Sequence, residues 1–409
     1  MRPQVSIRCR SIARAGCLSI ARLESKPHPT PRKKRNIALK ITDVTIDVIT
    51  REVGGTGLES DLGRFGGEVT QGVLRIKTDQ GVEGQCFVGD FRSGGAGLFD
   101  PILKVLKPEL LGKDASAREW LWNRLGILGA RRGVAFPAWA PVDVGLWDLA
   151  GKAAGMPVFR MLGAASEETE VYATYPPRHE SPGGWVEEAR DIADRGFRAY
   201  KIHPGMLSTA DAVKMVGAVR NEVGDEFTLM FDPNNNYDFR KALTVGRALD
   251  ANGFHWFEDP VPWDDFDAVV ELSRRLDTPL AMSDLAGYLF REPAHYIRLG
   301  APRILRATAR KHGITGMRKI AGMAEAFGLN CEIGTAGNSS LNAANLHVIC
   351  SIGNCDYYEW WMPAEAHQFG LIDHYSLNDS MTLDAPETPG LGCELDEEWI
   401  AAHRVATLE

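Results

Sequence analysis

Three carboxylates recur at an equal spacing along this sequence: Asp232, Glu258 and Asp284, 26 residues apart each time, closing the β-rich runs LMFD, HWFE and AMSD. The same-parity residues before them are apolar or small: Met230 and Thr228, Trp256 and Phe254, Met282 and Leu280. That pattern predicts acids facing one shared interior. Neighbouring strands lie about 4.8 Å apart, so the three side chains could converge on one hard cation. Without it, their repulsion would keep at least one protonated. Oxygen-only ligation, with no His or Cys beside it, points to Mg²⁺, with Mn²⁺ as an alternative. Taken singly, each acid is equally a helix N-cap or a turn former; the repeated spacing sets the cation reading apart.

One run earlier stands Lys201-Ile202-His203, with Lys201 and His203 on one face. A metal that polarises a substrate carboxylate makes the adjacent C–H acidic, and either side chain can take that proton. Lys201 would lose basicity beside a cation, and a histidine is the side chain that ordinarily exchanges protons near neutral pH. The alternatives are an ion pair between Lys201 and the acid cluster, and a turn role for His203 before Pro204. Glu359 shares parity with Tyr357 on a later run. If protonated, it could donate a hydrogen bond to an enediolate oxygen; otherwise it is a solvated strand-end acid.

Such residues need a scaffold that lines up strand ends. Eight β-rich segments end near Thr174, Lys201, Asp232, Glu258, Asp284, Ala307, Ile333 and Glu359, at gaps of 27, 31, 26, 26, 23, 26 and 26 residues. Each gap holds one helix and two turns, with amphipathic stretches at Trp185–Arg195 and Ala210–Val223. This predicts an α/β fold of the (β/α)8 barrel type, whose sites form at the C-terminal strand ends. An open doubly wound sheet is the runner-up, disfavoured by the absence of a Gly-rich phosphate fingerprint. Ahead of it, two alternating strands, Ile41–Glu52 and Glu68–Thr78, flank the Gly-rich stretch Gly54–Gly67. Helical periodicity over 98–162 completes a small α+β unit.

Charge divides unevenly. Residues 1–36 carry ten Lys/Arg and one acid, a net of +9, and the remaining 36 basic and 53 acidic residues a net of -17. An acidic body argues against nucleic acid as a partner. The basic arm reads as an organelle transit segment, a disordered arm or upstream sequence. Seven scattered cysteines contain no Cys-x-x-Cys, so reduced thiols in the cytoplasm or an organelle matrix are expected. No apolar run is long enough to span a membrane.

The residues together resemble the mandelate racemase/muconate lactonizing enzyme family of the enolase superfamily, over about 38–395. The resemblance rests on Ile41–Val48, LRIKTDQGVEG at 74–84, APVDVGLWDLAGK at 140–152, GMPVFRMLG at 155–163, Lys-x-His at 201–203, FDPN at 231–234, FEDP at 257–260, LAMSD at 280–284, GITG at 313–316, Glu359 and PGLG at 389–392. It implies a modified (β/α)7β barrel over 163–385, an N-terminal α+β capping domain over 37–162, and a segment, 386–409, that returns to the cap. It implies a Mg²⁺ site of Asp232, Glu258 and Asp284, with Asn234 and Asp259 beside it, and α-proton abstraction from a small carboxylate. Arg64 or Phe65, in the capping loop, would reach the substrate, and a homo-oligomer is expected.

The sequence departs from this family in telling places. The third metal ligand is Asp284 after Ser283 rather than Glu after Gly. The strand-six acid of the usual His-Asp dyad reads Ala307, and strand seven offers Gly334, Thr335 and Ala336 where a His is expected; His312 is a poor substitute. A racemase needs a base on each face of the intermediate, whereas β-elimination can be run from one. Dehydration of a sugar acid is therefore expected first, by a Mg²⁺-dependent hydro-lyase using Lys201, His203 and Glu359. Epimerisation or cycloisomerisation comes next, and a non-catalytic ligand-binding barrel is the reading from another class. Arg306 and Arg310, near the vacant dyad, are expected to bind a second carboxylate of the substrate.

Overall fold

In the computed structural model, residues 38–54, 66–92, 94–282, 284, 291–335 and 337–409 are described. Arg64, Phe65 and the basic arm therefore lie outside the described residues. A four-stranded antiparallel sheet comes first, from β1 (Ile41–Val53), β2 (Gly67–Thr78), β3 (Glu83–Val88) and the last strand of the chain. Alternation sets its register: Ile46 stands between Leu74 of β2 and Leu408 of the C-terminal strand, and Ile46, Leu74 and Ile76 are buried against the helices that follow.

The barrel strands are β4 (Glu168–Thr174), β5 (Ala199–Ile202), β6 (Thr228–Phe231), β7 (Trp256–Glu258), β8 (Leu280–Met282), β9 (Ile304–Ala307), β10 (Asn330–Ile333) and β11 (Tyr357–Trp361). All are parallel, in the order β10-β9-β8-β7-β6-β5-β4-β11. The ends of this ladder meet: the Thr335 hydroxyl donates to the Glu359 carbonyl at 2.7 Å and Thr335 N–H to its carboxylate at 2.7 Å. The sheet is thus a closed (β/α)8-type barrel with an N-terminal cap sheet, not an open one. β12 (Leu383–Asp384) pairs outside the ring with β4, and β13 (Arg404–Leu408) returns to β1.

Two cores separate the inside of the ring from its outside. Tyr172, Ala199, Met230, Trp256, Ala281 and Ile304 fill the interior. Leu280, Met282, Leu305 and Ala307 pack outward against the helices. This corrects two expectations. On β8 the inward residue is Ala281, so Asp284 does not share an inward parity with Met282; it enters the mouth because the strand ends at Met282, two residues before it. On β9 Arg306 points inward and Ala307 outward, so Ala307 is no gap in the wall.

Three of the sequence motifs are wired together. Helix Phe136–Ala154 buries Asp143 and Asp148. Asp143 accepts from Thr315 N–H at 2.9 Å and the Thr315 hydroxyl at 2.7 Å; Asp148 accepts from Gln85 N–H and Leu391 N–H, both at 3.0 Å, and pairs with Lys152. Helix Ala309–Ala326 is broken at Gly313, whose φ of +61° favours glycine; a Cβ there would lie 2.4 Å from an Asp143 carboxylate oxygen. The short turn between β9 and this break is consequently held in place by the cap-side helix.

Candidate active site

The inward side chains at the C-terminal strand ends form one charged layer. Lys201 Nζ lies 3.1 and 3.2 Å from the Glu258 oxygens, 2.6 Å from Glu359 and 3.5 Å from Asp232. Arg306, fully buried, sets Nε 3.0 Å from Glu258 and Nη2 3.3 Å from Glu359 and 3.2 Å from the Tyr172 hydroxyl. Trp256 Nε1 also donates to Glu258, at 3.1 Å. Burial lowers the Lys201 and Arg306 pKa values, but the carboxylates beside them outweigh it and hold both well above their ordinary range. The ion-pair alternative for Lys201 is therefore the one seen.

His203 is fixed from three sides. Its Nδ1 donates to the Tyr175 carbonyl at 2.8 Å and lies 3.0 Å from the Thr174 hydroxyl, which itself donates to the Lys201 carbonyl. Its ring stacks on Trp361 at 5.4 Å, and Trp361 in turn meets Phe91 of the cap at 5.8 Å. With Nδ1 carrying a hydrogen toward Tyr175, Nε2 is the atom through which the ring takes up or gives a proton; it faces Asp232 at 3.2 Å, to which it donates while the ring is protonated. Burial raises the Asp232 carboxyl, but Lys201 and His203 outweigh it and leave a net lowering.

Asp284 reaches the same layer. A Cβ at Gly334 would lie 2.7 Å from Asp284 Oδ1, 3.1 Å from Arg306 Nη2 and 3.6 Å from Glu359 Oε2, so a residue without a side chain leaves room for the three to approach. Asn234 acts through its backbone, N–H to Asp232 at 2.8 Å. Asn234 and Asp259 both take positive φ, 52° and 35°, where the chain turns sharply behind an acid.

Two expected roles do not fit this geometry. For Glu359 a donor role was conditional on protonation; Lys201 and Arg306 overcome the effect of burial and hold it down to about 2, which favours the carboxylate alternative, here buried rather than solvated. Arg306 was expected to bind substrate, yet its guanidinium faces Glu258, Glu359 and Tyr172 inside the ring. Arg310 stands higher, 3.3 Å from Asp90 of the cap. His312 is buried and pushed down to about 3, mainly by desolvation, and Thr308 N–H points to its Nδ1 at 3.4 Å; it is a neutral structural ring.

Sequence reasoning passed over Thr308, Lys311 and Glu292. All three are buried, and the Thr308 hydroxyl, the Lys311 ammonium and both Glu292 oxygens have no hydrogen-bond partner among the described residues. For Lys311 the available signal was the Lys311-His312 pair in the first turn of the helix that follows β9.

Whether the layer suits a divalent cation can be judged from its charges. Among the described residues no three His, Cys, Asp or Glu side chains are gathered tightly enough to enclose a metal, because Lys201 and Arg306 stand between them. Charge and donor type nonetheless fit. Four carboxylates, Asp232, Glu258, Asp284 and Glu359, stand against Lys201 and Arg306 inside the ring and Lys311 beside Asp284, so the layer is formally short of positive charge. Burial pushes the Glu258 carboxyl well above its ordinary value against the pull of Arg306 and Lys201, and Asp232 and Asp284 add to the rise. A dication supplies what the cluster lacks.

Comparison with known proteins defines the class. Residues 184–399 match the family "Enolase C-terminal domain-like", and residues 67–163 match the mandelate racemase/muconate lactonizing enzyme N-terminal domain. The chain belongs to this family of the enolase superfamily. It is 31% identical over 339 residues to an L-talarate/galactarate dehydratase of Salmonella typhimurium, covering 80% of this chain and 84% of that one. It is 30% identical over 311 residues to an arabinonate dehydratase of Saccharolobus solfataricus, covering 71% and 79%. The crystal structure of D-glucarate dehydratase from Agrobacterium tumefaciens complexed with magnesium superposes with a TM-score of 0.81 at 29% identity, over 90% of this chain and 99% of that one. These relationships support an enzyme of enolase-superfamily chemistry, a family in which Mg²⁺ is the typical cofactor. No helix among the described residues is long and apolar enough to cross a membrane.

Proposed function

We propose that this chain is a Mg²⁺-dependent hydro-lyase that removes the α-proton of a hydroxy-carboxylate of the sugar-acid type and eliminates water. The observation that carries the reading is the juxtaposition of His203 Nε2 with the Asp232, Glu258 and Asp284 layer, whose excess negative charge a dication would offset. Asp232, Glu258 and Asp284 would hold the ion, and it would supply positive charge to the substrate carboxylate and so acidify the adjacent C–H. His203 then takes the α-proton at Nε2. Its Nδ1–H bond to Tyr175 and its stacking on Trp361 keep the ring aimed, so little reorientation is needed at the reacting moment. Lys201 stabilises negative charge gathering on the enediolate, and Arg306 and Glu359 fix Glu258 and Lys201 in place. Asn234 and Asp259 shape the turns behind the acids. In this reading residues 37–162 cap a barrel of residues 163–385, with 386–409 returning to the cap; the dehydratase relatives support it.

The test is a panel of aldonic and aldaric acids incubated with the full chain and Mg²⁺, scored for a 2-keto-3-deoxy acid. Formation of that product supports the reading. Inversion at the α-carbon without water loss would replace dehydration by epimerisation, and no reaction on any acid would favour a ligand-binding barrel.

A further inference from the structure

β5 and β9 are four strands apart in an eight-stranded ring, so they stand across the mouth from each other. The β5 side carries His203. On the β9 side, Thr308 follows the strand and Lys311 lies in the first turn of helix Ala309–Ala326, just before the break at Gly313. Thr308 is the N-cap of that helix, yet its hydroxyl makes no capping bond and has no partner among the described residues. Lys311 is 2% exposed and its ammonium is likewise without a hydrogen bond. A buried donor left unsatisfied costs about 1–3 kcal/mol. Two of them on one turn, at the functional end of a barrel, mark a place that a ligand completes.

The groups that act on Lys311 come from every element around it: Asp284 beyond β8, Asp259 beyond β7, Glu292 of helix Glu292–Leu299, Arg92 of the cap, and Arg310 beside it. Asp284 feels Lys311 more strongly than any other cation. Lys311 therefore lies next to the acid layer on the side away from His203, yet among the described residues no carboxylate pairs with it. Burial pulls its ammonium below the ordinary lysine range, against the pull of Asp284, which makes a proton on Nζ easier to give up.

We propose that Lys311 is the general acid on the face opposite His203, donating a proton from Nζ to the departing β-hydroxyl, with the Thr308 hydroxyl hydrogen-bonding the same leaving group. This rests on the hydro-lyase reading above. The α-proton passes to His203 Nε2, its electron pair forms the C=C bond, and the C–O bond breaks as its oxygen takes the Lys311 proton. Water and an enol leave; the enol ketonises to the 2-keto-3-deoxy acid, exchanging its protons with solvent. His203 returns its proton to solvent and Lys311 takes one back, so the cycle balances without an oxidant or reductant. The pair supplies the two-sided kit that the missing dyad leaves open.

The experiment uses the full chain with Mg²⁺ and two versions of the accepted acid, one carrying the β-hydroxyl and one with β-fluoride, which leaves without a proton. Release of α-deuterium and formation of 2-keto acid are followed separately. Lys311→Gln is expected to slow water loss by about 10²-fold or more, to keep α-deuterium release within about tenfold, and to eliminate fluoride near the wild-type rate. Lys311→Arg, which keeps the charge, controls for folding together with a thermal melt. If Lys311→Gln slows hydroxyl and fluoride elimination equally while its melt is unchanged, or leaves water loss intact, the assignment is overturned. If the wild-type chain itself releases no α-deuterium from any acid, the hydro-lyase reading fails first and this one with it.

Discussion

The two sides of the barrel mouth are built on opposite terms. On the β5 side every polar atom of Lys201 and His203 meets a partner: the Glu258, Glu359 and Asp232 carboxylates, the Tyr175 carbonyl and the Thr174 hydroxyl. Behind them Tyr200 of β5 donates to Glu188, which also pairs with Arg178 and His179. On the β9 side, Thr308, Lys311, Glu292 and the Arg310 Nε are buried without hydrogen-bond partners among the described residues. The first arrangement holds its groups in reacting position before substrate arrives. The second sacrifices stability for groups that a substrate satisfies, a trade common at active sites. Substitutions should therefore cost stability on one side and gain it on the other.

The largest effect is expected at His203. His203→Asn removes the basic nitrogen while keeping a donor toward Tyr175, and α-deuterium release should fall by about 10³-fold with Mg²⁺ binding, read by calorimetry, unchanged. Unchanged release would take His203 out of the chemistry. Next comes the centre of the ring. Arg306→Gln leaves Glu258 and Glu359 partly uncompensated and should cost about 3–5 kcal/mol in denaturant unfolding; a loss below 1 kcal/mol would show that the ion-pair layer contributes little.

A smaller loss, with a pH signature, is expected behind β5. Burial raises the Glu188 carboxyl, but His179, Tyr200 and Arg178 outweigh it, so its folded pKa lies below the ordinary glutamate value. Its contribution is thus present above about pH 4.5 and fades as the pH falls through the lowered folded value. Glu188→Gln should lower stability at pH 7 by about 2 kcal/mol and flatten the acid limb of the stability profile; parallel acid limbs would contradict this. The smallest change carries the opposite sign. Lys311→Met removes a buried ammonium with no hydrogen-bond partner among the described residues and should raise stability by about 1 kcal/mol, where a loss would mean that Lys311 is held by Asp284 as tightly as Lys201 is by Glu258.

Much of this was legible in the sequence because barrel strands and their end residues follow a simple period. Thr174, Lys201, Glu258, Ala307 and Ile333 each stand at or inside the end of the expected strand, and the cap strands agree within a residue at each end. Parity was the weak point. β7 and β8 are only three residues long, so alternation read back from Asp284 crossed the strand end and placed Met282 inside when it is outside. Ala307, read as vacant by comparison with the family's strand-six acid, points outward, and Arg306 is the inward residue there. Lys311 and Glu292 were passed over because charged residues near helix starts read as solvated, and only tertiary packing reveals that these are buried. The motifs at 140–152, 313–316 and 389–392 were visible as strings, but their wiring through Asp143 and Asp148 needed the fold.

The most direct test is the release of deuterium from an α-deuterated sugar acid by the wild-type chain, measured with Mg²⁺, after chelation and after Mg²⁺ is restored. Release that needs Mg²⁺, collapses on chelation and returns with the ion is the result expected from a carboxylate layer short of positive charge, with His203 beside it. Release at the same rate after chelation, or none from any acid of the panel, would contradict the assignment of this strand-end layer as a cation-dependent proton-abstraction site.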